Sequence, residues 1–297
     1  MDHVNVIIVG AGLSGVGAAA HLIKKSPNKT FTLLEGRASV GGTWDLFRYP
    51  GIRSDSDMHT LGYNFKPWTE AKAIADGPSI RKYVNETADE YDIRRHIRFD
   101  HKVQSASWDS AAGHWIVTSA LPDGSNTSVT GDFLFMCGGY YSYDEPHRPE
   151  FRGESDYQGQ VLHPQFWPED LDYRGKRVVV IGSGATAMTM VPSMTQNGAK
   201  VTMVQRSPTY VVSRPAEDKI ANLLRRWLPE RWAYAITRLK NTTLSGYFYR
   251  QTRTQPEKTK AQLLQMATAN LGEEMVKAHF TPSYNPWDQR MCLIPNG

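Results

Sequence analysis

The stretch VNVIIVGAGLSGVGAAAHLI, residues 4–23, decides how the N-terminal part of this chain folds. Its β-branched opening predicts a buried strand, and its small apolar residues further on predict a helix. Between them, Gly10 permits a tight turn, Gly12 lets a pyrophosphate approach the backbone, and Gly15 lets helix and strand pack closely. The stretch contains no Asp, Glu, Lys or Arg and is long enough to span a membrane, but its glycines favour the strand, turn and helix.

A carboxylate completes this first motif. The next apolar segment, TFTLLE at residues 30–35, predicts a second strand that ends at Glu35, twenty residues after Gly15. A carboxylate at that place can accept hydrogen bonds from a ribose diol, and the free N–H groups and dipole of a helix N-terminus favour phosphate. The motif therefore predicts a dinucleotide site that takes an unphosphorylated ribose.

A second turn of the same kind lies at residues 182–187, after the strand-like RVVVI and before a helical stretch. An alanine replaces the third glycine, which is a common variant. The second strand here ends in Gln205 and Arg206 without an acid, so the guanidinium can pair with the 2′-phosphate of NADP. The alternative for Arg206 is a solvated charge at a strand end. The residues of this turn are Gly182, Ser183, Gly184, Ala185, Thr186 and Ala187.

Two dinucleotide sites in one chain indicate a flavin that is reduced by a nicotinamide cofactor, with FAD in the first site and NADPH in the second. Cys137 and Cys292 are far apart in the sequence, which argues against a redox pair, a disulfide framework or a zinc site. Molecular oxygen is therefore the expected electron acceptor, and a reducing cytoplasmic location is the default.

Composition narrows the class of protein further. The 297 residues carry a formal net charge of +4, with 40% hydrophobic and 22% charged residues, an ordinary balance for a water-soluble protein. A mild charge without a concentrated basic face argues against nucleic-acid binding. Because no cluster has metal-ligand spacing and no signal peptide is evident, we expect neither a metal site nor secretion.

The stretch YQGQVLHPQFWPED, residues 157–170, connects the two nucleotide motifs. It resembles the signature F-x-G-x-x-x-H-x-x-x-W, followed by P or D, of the type I Baeyer–Villiger monooxygenases. The matching residues, with tyrosine in place of phenylalanine, are Tyr157, Gly159, His163 and Trp167. A second family signature, G-G-x-W-x-x-x-x-Y-P-G-x-x-x-D, is met from Gly41 to Asp55. IGSGATA and YNPWDQR, among other stretches, are similar to the subgroup that contains the ethionamide-activating monooxygenase.

The resemblance implies an α/β fold with two Rossmann-like dinucleotide-binding domains, one for FAD and one for NADP. We expect the N-terminal part of the FAD domain at residues 1–145, a linker at 146–175, and the NADP domain at 176–297 with a helical insertion at about 215–280. His163 and Trp167 are then expected at a hinge, where an imidazole can hold two chain segments and a buried indole can anchor the linker. The alternative is that both residues only pack.

For the chemistry, the resemblance implies transfer of one oxygen atom from molecular oxygen through a flavin C4a-peroxide. The acceptors are small hydrophobic ketones, which become esters, and the sulfur of thioamides or thioethers. Arg290 matches the family's catalytic arginine, whose charge stabilises the peroxide, and Asp55 matches the carboxylate that orients it. Many relatives carry a lysine at Gln289 that helps hold the 2′-phosphate, so NADPH preference here depends more on Arg206 and Ser207.

Further positions carry over from the family, each with a plain structural alternative. For FAD, the resemblance implies roles at the phosphates, the ribose, the flavin or the adenine for Ser14, Glu35, Thr43, Trp44, Asp45, Asp55 and Val103. For NADP, it implies that Arg53 and Ser54 lie near the nicotinamide end.

Three alternatives remain open from the sequence. The first is an N- or S-oxygenating flavin monooxygenase without Baeyer–Villiger activity, although Trp167 favours the Baeyer–Villiger branch. The second is a non-catalytic nucleotide-binding remnant, because residues 293–297 resemble the middle of a strand and turn and we expect a fragment of a longer protein. The third concerns the basic, aromatic residues 225–240, which could contact a membrane surface or a hydrophobic substrate path; we favour a core-facing helix with a solvated basic side.

Overall fold

The computed structural model describes residues 2–296. The chain forms two compact units. The first contains the residues up to Arg48 together with Gly77–Trp167, and the second contains Tyr49–Asp76 together with the residues from Pro168 onward. The chain therefore changes unit three times, and each unit contains one of the two nucleotide-type turns.

The secondary structure alternates between strands and helices. The strands are β1 Asp2–Val9, β2 Phe31–Leu34, β3 Ile97–Arg98, β4 Lys102–Asp109, β5 His114–Ala120, β6 Asn126–Met136, β7 Arg177–Ile181, β8 Lys200–Val204, β9 Tyr210–Arg214 and β10 Met291–Pro295. The α-helices are α1 Leu13–Lys25, α2 Thr43–Leu46, α3 Met58–Leu61, α4 Gly77–Glu90, α5 Ala185–Gln196, α6 Lys219–Trp227, α7 Glu230–Thr254, α8 Pro256–Leu271 and α9 Glu273–His279. Short 3₁₀ helices occur at Arg94–His96, Glu154–Asp156 and Pro164–Phe166.

A six-stranded sheet forms the first unit, with the strand order β3-β2-β1-β6-β5-β4. β1 pairs in parallel with β2 and β6, whereas β5 pairs antiparallel with β4 and β6. α1 packs against β1 and β2, and α4 packs against α1. Ile7, Leu34, Val117 and Val129 are buried together and join the parallel half of the sheet to the antiparallel half.

The turn between β1 and α1 depends on small residues. A Cβ atom on Gly15 would lie 1.9 Å from the carbonyl oxygen of Gly10, so only glycine fits there. Gly15, Ala19 and Ala20 are buried on the face of α1 that meets the sheet. Lys24 and Lys25 in the last turn complement the negative end of the helix dipole. The predicted strand, turn and helix at residues 4–23 are confirmed.

Two short parallel pairs of strands lie in the second unit. β7 pairs with β8, and the helix α5 connects them in the crossover that a parallel pair requires. β9 pairs with β10, and the helices from Lys219 to His279 lie between these two strands in the sequence. The predicted α/β class and the helical insertion in the second nucleotide domain are confirmed.

The segment Tyr49–Asp76 lies with the second unit, although the sequence analysis assigns it to the FAD domain. The backbone N–H groups of Ala73 and Ile74 donate to the carbonyl of Ala216 at 2.8 and 3.0 Å. The Tyr234 hydroxyl donates to the carbonyl of Tyr63 at 3.0 Å. No local sequence pattern encodes hydrogen bonds to residues so distant in the chain. The sequence neighbours of residues 49–76 belong to the first unit and therefore suggest the FAD domain.

An arginine on α7 caps α3 within this segment. Arg238 Nη1 donates to the carbonyls of His59, Thr60 and Gly62 at 2.9, 3.3 and 3.1 Å. The last carbonyls of a helix have no partner within it, so the guanidinium satisfies groups that would otherwise need water.

Length and hydrophobicity together decide whether a helix can cross a membrane. No helix within residues 2–296 has enough of both.

Candidate functional site

The two nucleotide-type turns are built alike. The backbone N–H of Gly10 donates to the carbonyl of Leu34 at 2.8 Å, and that of Gly182 donates to the carbonyl of Val204 at 2.8 Å. Both glycines have a positive φ, 101° and 134°, which other residues rarely adopt. α1 and α5 begin without a side-chain cap and without an acidic residue in the first turn. Each helix therefore presents uncapped N–H groups that suit an anionic ligand.

Glu35 follows β2 directly and is almost fully buried, at 4% exposure. Its Oε2 accepts from the Ala11 N–H at 2.7 Å, and its Oε1 accepts from the Arg37 N–H at 3.0 Å. Burial raises the pKa of the carboxyl group, and these two hydrogen bonds oppose the shift. Each oxygen keeps a further acceptor position, so the carboxylate is fixed in orientation and still able to bind a hydroxyl.

Two glycine-rich segments meet at the start of α1. The Gly41 N–H donates to the carbonyl of Ala11 at 3.1 Å, and a Cβ atom on Gly42 would lie 3.0 Å from Gly12 Cα. The close approach explains the G-G pair of the second family signature in physical terms. It also brings α2, with Thr43 at its first position, to the turn.

Tyr143 is a residue at this place that the sequence analysis missed. Its hydroxyl would lie 3.3 Å from a Cβ on Gly42, and its side chain forms a hydrogen bond with Thr43. The Arg37 guanidinium lies 5.9 Å from the centre of its ring. Burial and the charge of Glu35 raise the pKa of the phenol. No motif contains Tyr143, so only the fold reveals this position.

Asp45 is buried and forms ion pairs with three arginines. Arg37 Nη2 lies 2.8 Å from Oδ2, and Arg48 Nη2 and Arg81 Nε lie 3.2 and 3.1 Å from Oδ1. Ser39 Oγ also donates to Oδ2. Hydrogen bonds from Ser39 and Arg48, together with the ion pairs to Arg37 and Arg81, engage both oxygens of Asp45 within the protein itself. Three arginines against one carboxylate leave a local surplus of positive charge around Asp45.

The remaining residues predicted for FAD stay predictions. Ser14 is exposed in the first turn of α1, and Trp44 is half-buried in α2. Val103 lies on β4 and packs against the core cluster around Val117. None of the three contradicts the expected role by its position.

In the second unit, the end of β8 meets the nucleotide-type turn. Ser183 is buried, and its Oγ donates to the carbonyl of Ser207 at 2.9 Å. Gln205 Nε2 donates to the carbonyl of His279 at 2.7 Å. Arg206 is exposed, and its side chain forms no hydrogen bond or ion pair within residues 2–296. Its guanidinium is therefore available to a ligand.

Arg290 lies beside the same strand end. Its Nη2 donates to Ser207 Oγ at 2.9 Å, and its Nε is buried without a hydrogen-bond partner in the described structure. The Tyr284 hydroxyl donates to the carbonyl of Arg290 at 3.0 Å and holds its backbone. The predicted catalytic arginine thus contacts the loop predicted to bind the 2′-phosphate.

Asp55 pairs with Arg53. Arg53 Nε lies 3.9 Å from Asp55 Oδ1, which is an ion pair without a hydrogen bond. Both groups also bind Leu293 on β10: its carbonyl accepts from Arg53 Nη2 at 2.8 Å, and its N–H donates to Asp55. Burial raises the pKa of Asp55, and the positive charge of Arg53 opposes the shift. The carboxylate therefore acts on the strand that follows Arg290.

These residues surround Cys292, a buried free thiol. Burial raises its pKa, and the charges of Asp55, Arg290 and Arg53 act on it. The structure thus brings the predicted residues of three separate sequence stretches into one cluster. Ser54, also predicted, is buried beside it, and its hydroxyl bonds with the backbone of Ser56.

The connector residues have definite local roles in the first unit. A Cβ on Gly159 would lie 2.4 Å from the ring of Tyr157, so any larger residue at the second signature position would displace this exposed ring. His163 Nδ1 accepts from the Gln165 N–H at 3.2 Å and caps a 3₁₀ helix. Gln165 Nε2 in turn donates to the carbonyl of Ser142 at 2.6 Å. The hinge role of His163 and Trp167 stays a prediction.

Comparison with known proteins agrees with this arrangement. A model of flavin-binding monooxygenase-like proteins matches residues 70–270, and a model of NAD(P)-binding Rossmann-like domains matches residues 8–76. Among similar sequences, the FAD-containing monooxygenase EthA of Mycobacterium tuberculosis is 54% identical over the whole chain. The probable FAD-binding monooxygenase AlmA of Acinetobacter baylyi is 48% identical over 99% of it. The chain spans 61% and 59% of the length of these relatives.

Solved structures of monooxygenases have the same fold as this chain. An oxidised steroid monooxygenase bound to NADP superimposes with a TM-score of 0.80 at 25% identity, over 99% of this chain and 62% of the other. OTEMO in complex with FAD and NADP superimposes with a TM-score of 0.78 at 22% identity, over 99% and 63%. Since the first family model alone covers more than half of the 297 residues, the chain belongs to the flavin-binding monooxygenase-like family.

Proposed function

We propose that this chain binds FAD in its first unit and NADPH in its second, as part of a monooxygenase that transfers one oxygen atom from molecular oxygen to an organic substrate. One observation carries the proposal. The two turns have the same geometry, but the second strand of each motif is followed by an opposite charge. Glu35 follows the second strand of the first motif, and Arg206 follows that of the second. A carboxylate suits a free ribose diol, whereas a guanidinium suits a 2′-phosphate.

The first unit fits FAD on structural grounds. The uncapped start of α1 suits a diphosphate, and the backbone at Gly10 and Gly42 is too close to its neighbours for side chains to intrude. Glu35 is oriented to accept from the ribose. When bound, reduced flavin supplies the electrons that activate oxygen. Relatives named as FAD-containing monooxygenases support this assignment.

The second unit fits NADPH by the same argument. The uncapped start of α5 suits the diphosphate, and Arg206 and Ser207 follow β8 at the position where this kind of fold recognises the 2′-phosphate. Glycine at residues 182 and 184 leaves open space, since an added Cβ at either would meet nothing within 4 Å. Structural neighbours that bind NADP support the assignment.

Arg290 supplies a permanent positive charge for the oxygen-transfer step. Negative charge develops on oxygen in that step, and a fixed charge in a partly buried site stabilises it more than water would. A guanidinium does not release its proton, so Arg290 acts by position and charge. Arg53 and Asp55 hold both backbone groups of Leu293 and thereby fix the strand that follows Arg290.

For the substrate, we propose ketones, which become esters, and the sulfur of thioamides or thioethers. The support is the signature from Tyr157 to Trp167 and the 54% identity to EthA. Oxidation of sulfur alone is the second candidate, because the same family contains flavin monooxygenases of that kind.

The proposal is tested first by the visible absorption spectrum of the purified chain, with and without added FAD. We expect flavin bands that persist after gel filtration and that NADPH bleaches in the absence of oxygen. A protein that stays colourless after incubation with FAD contradicts the proposal and favours a nucleotide-binding remnant. Product analysis with a cyclic ketone and a thioether then separates the two substrate classes.

A further inference from the structure

Ser207 lies at a junction of three groups in the second unit. Its carbonyl accepts from Ser183 Oγ at 2.9 Å, which connects it to the nucleotide-type turn. Its hydroxyl oxygen accepts from Arg290 Nη2 at 2.9 Å, and the same nitrogen lies 3.4 Å from the Ser207 carbonyl. Arg206, which has no side-chain partner within residues 2–296, is its immediate neighbour in the sequence.

The hydroxyl of Ser207 has donor capacity left. A serine hydroxyl has one hydrogen and two lone pairs, and the contact with Arg290 uses a lone pair. Across the residues that the structure describes, the Ser207 hydroxyl donates to no other group. Its hydrogen is therefore available to an acceptor at the end of β8, which is where a dinucleotide of this fold places the ribose that carries a 2′-phosphate.

On this basis, and resting on the NADPH site proposed above, we propose that Ser207 couples recognition of the 2′-phosphate to the position of Arg290. The hydroxyl donates to the phosphate and at the same time accepts from Arg290. Donation to an anion makes its oxygen a better acceptor, so each contact strengthens the other. Ser207 is thus a positioning residue, and Arg290 is held more firmly when NADPH rather than NADH is bound.

The surroundings of Arg290 make this contact important. Its Nε is buried without a hydrogen-bond partner in the described part of the chain, so Ser207 supplies the side-chain contacts recorded for the guanidinium. Gln289, the preceding residue, is exposed and carries no charge. A relay through Ser207 gives Arg290 a share in phosphate recognition beside the uncharged Gln289.

The test uses binding of two small probes to the 297-residue chain by calorimetry: adenosine 2′,5′-bisphosphate and 5′-AMP, which lacks the 2′-phosphate. We expect Ser207→Ala to weaken the bisphosphate by about tenfold, the value of one hydrogen bond to a charged group, and to leave 5′-AMP unchanged. Ser207→Thr keeps the hydroxyl and should stay within about threefold of the wild type. Thr202→Ala, at an exposed position on β8, is the matched control.

Coupling is measured by a double-mutant cycle with Arg290→Gln. If Ser207 is the relay, Arg290→Gln weakens the bisphosphate by about threefold or more in the wild type and has no further effect in Ser207→Ala. In NMR spectra, the bisphosphate should also shift the Arg290 Nε–H signal in the wild type and in Ser207→Thr, but not in Ser207→Ala. A merely structural serine would produce neither result.

Two outcomes overturn the relay, and they can be told apart. Additive effects in the cycle, in a chain that prefers the bisphosphate, contradict the relay and leave the proposed NADPH site intact. Equal binding of both probes by the wild type contradicts the NADPH preference and the relay together.

Discussion

Arg53 donates a 2.8 Å hydrogen bond to the carbonyl of Leu293, 240 positions further along the chain. The N–H of the same leucine donates to Asp55, so both backbone groups of one strand residue are hydrogen-bonded, one to an arginine and one to an aspartate. Leu293 lies three residues after Arg290 and next to Cys292. The second family signature therefore acts, through its last residue, on the strand that directly follows the proposed catalytic charge.

Cofactor choice gives the first prediction. Replacing Arg206 with alanine should weaken NADPH by about 1.5 kcal/mol, the low end for a hydrogen bond to a charged group, because the side chain is exposed and screened. NADH should be affected little, since it has no 2′-phosphate. The measurement is the dissociation constant of each cofactor, with Arg226→Ala, at an exposed position on α6, as control. Equal losses for both cofactors would remove Arg206 from phosphate recognition.

The second prediction concerns Arg290, the proposed catalytic charge. Replacing Arg290 with alanine should leave flavin reduction by NADPH possible and slow oxygen transfer by about 10²–10³, the typical effect of losing one preorganised group. The electrons should then appear as hydrogen peroxide. The measurement is the ratio of product to NADPH consumed, in protein that holds FAD. Normal coupling and rate in this variant would exclude Arg290 from the transfer step.

Asp45 gives a prediction about stability. Asp45→Asn keeps the shape but leaves three arginines without their shared carboxylate. We expect the free energy of unfolding to fall by roughly 2–3 kcal/mol, somewhat below the usual range for breaking a buried pair, because the arginines remain partly hydrated. Chemical denaturation measures this. Asp89→Asn, in an exposed pair with Arg94, should cost only about 0–1 kcal/mol. Similar values for both variants would contradict the argument.

His59 gives a prediction about pH. It is 2% exposed, and burial lowers its pKa below the ordinary value of about 6.5. The charged side chains that act on its ring are Asp57 and Asp218, which oppose the shift, and Arg225 and Lys240, which add to it. A lowered pKa means that the unfolded chain binds the proton more tightly. The contribution to stability is therefore full above about pH 6.5 and is lost as the pH falls through the folded-state pKa.

The variant that checks this is His59→Gln. Its free energy of unfolding, followed between about pH 5 and 8, should decline less on acidification than that of the wild type. In the control variant His279→Gln, at the exposed last residue of α9, the free energy of unfolding should decline as in the wild type. If His59→Gln also keeps it, the buried imidazole is not the group responsible.

The two nucleotide-type turns give the last prediction. A methyl group on Gly15 would lie 1.9 Å from the carbonyl oxygen of Gly10, so Gly15→Ala should force β1 and α1 apart and weaken FAD retention. Ala187, at the matching place in the second turn, is already an alanine, and Ala187→Gly should cost only about 1 kcal/mol from helix propensity. Thermal unfolding and flavin content compare the two. Equal effects would contradict the steric argument.

Sequence reasoning finds the parts of this protein that local spacing encodes. The glycine turns, the strands around them and the charge difference between Glu35 and Arg206 follow from residues that are close in the sequence. The helices between β9 and β10 follow from helical periodicity. These features agree with the structure because turn geometry and periodicity are local properties of the chain.

The contacts that complete the sites join residues that are distant in the sequence. Tyr143 reaches Thr43, and Arg290 reaches Ser207, across long separations in the sequence. Residues 49–76 join the second unit through hydrogen bonds such as that from Tyr234 to Tyr63. No spacing rule encodes such contacts, because folding and not sequence proximity decides which distant segments meet.

The chain passes from one unit to the other three times, and this has a consequence for biosynthesis. Residues 49–76 leave the ribosome long before α6 and α7, so Trp68 and Ile74, which are buried in the finished protein, have no partner surface while the chain is being made. The six-stranded sheet can form as soon as β6 is translated, whereas the second unit must wait for β10. The nascent chain therefore exposes the apolar side chains of Trp68 and Ile74, which a chaperone can recognise. A gene piece that encodes only residues 168–297 yields an α7 whose Arg238 has no helix to cap.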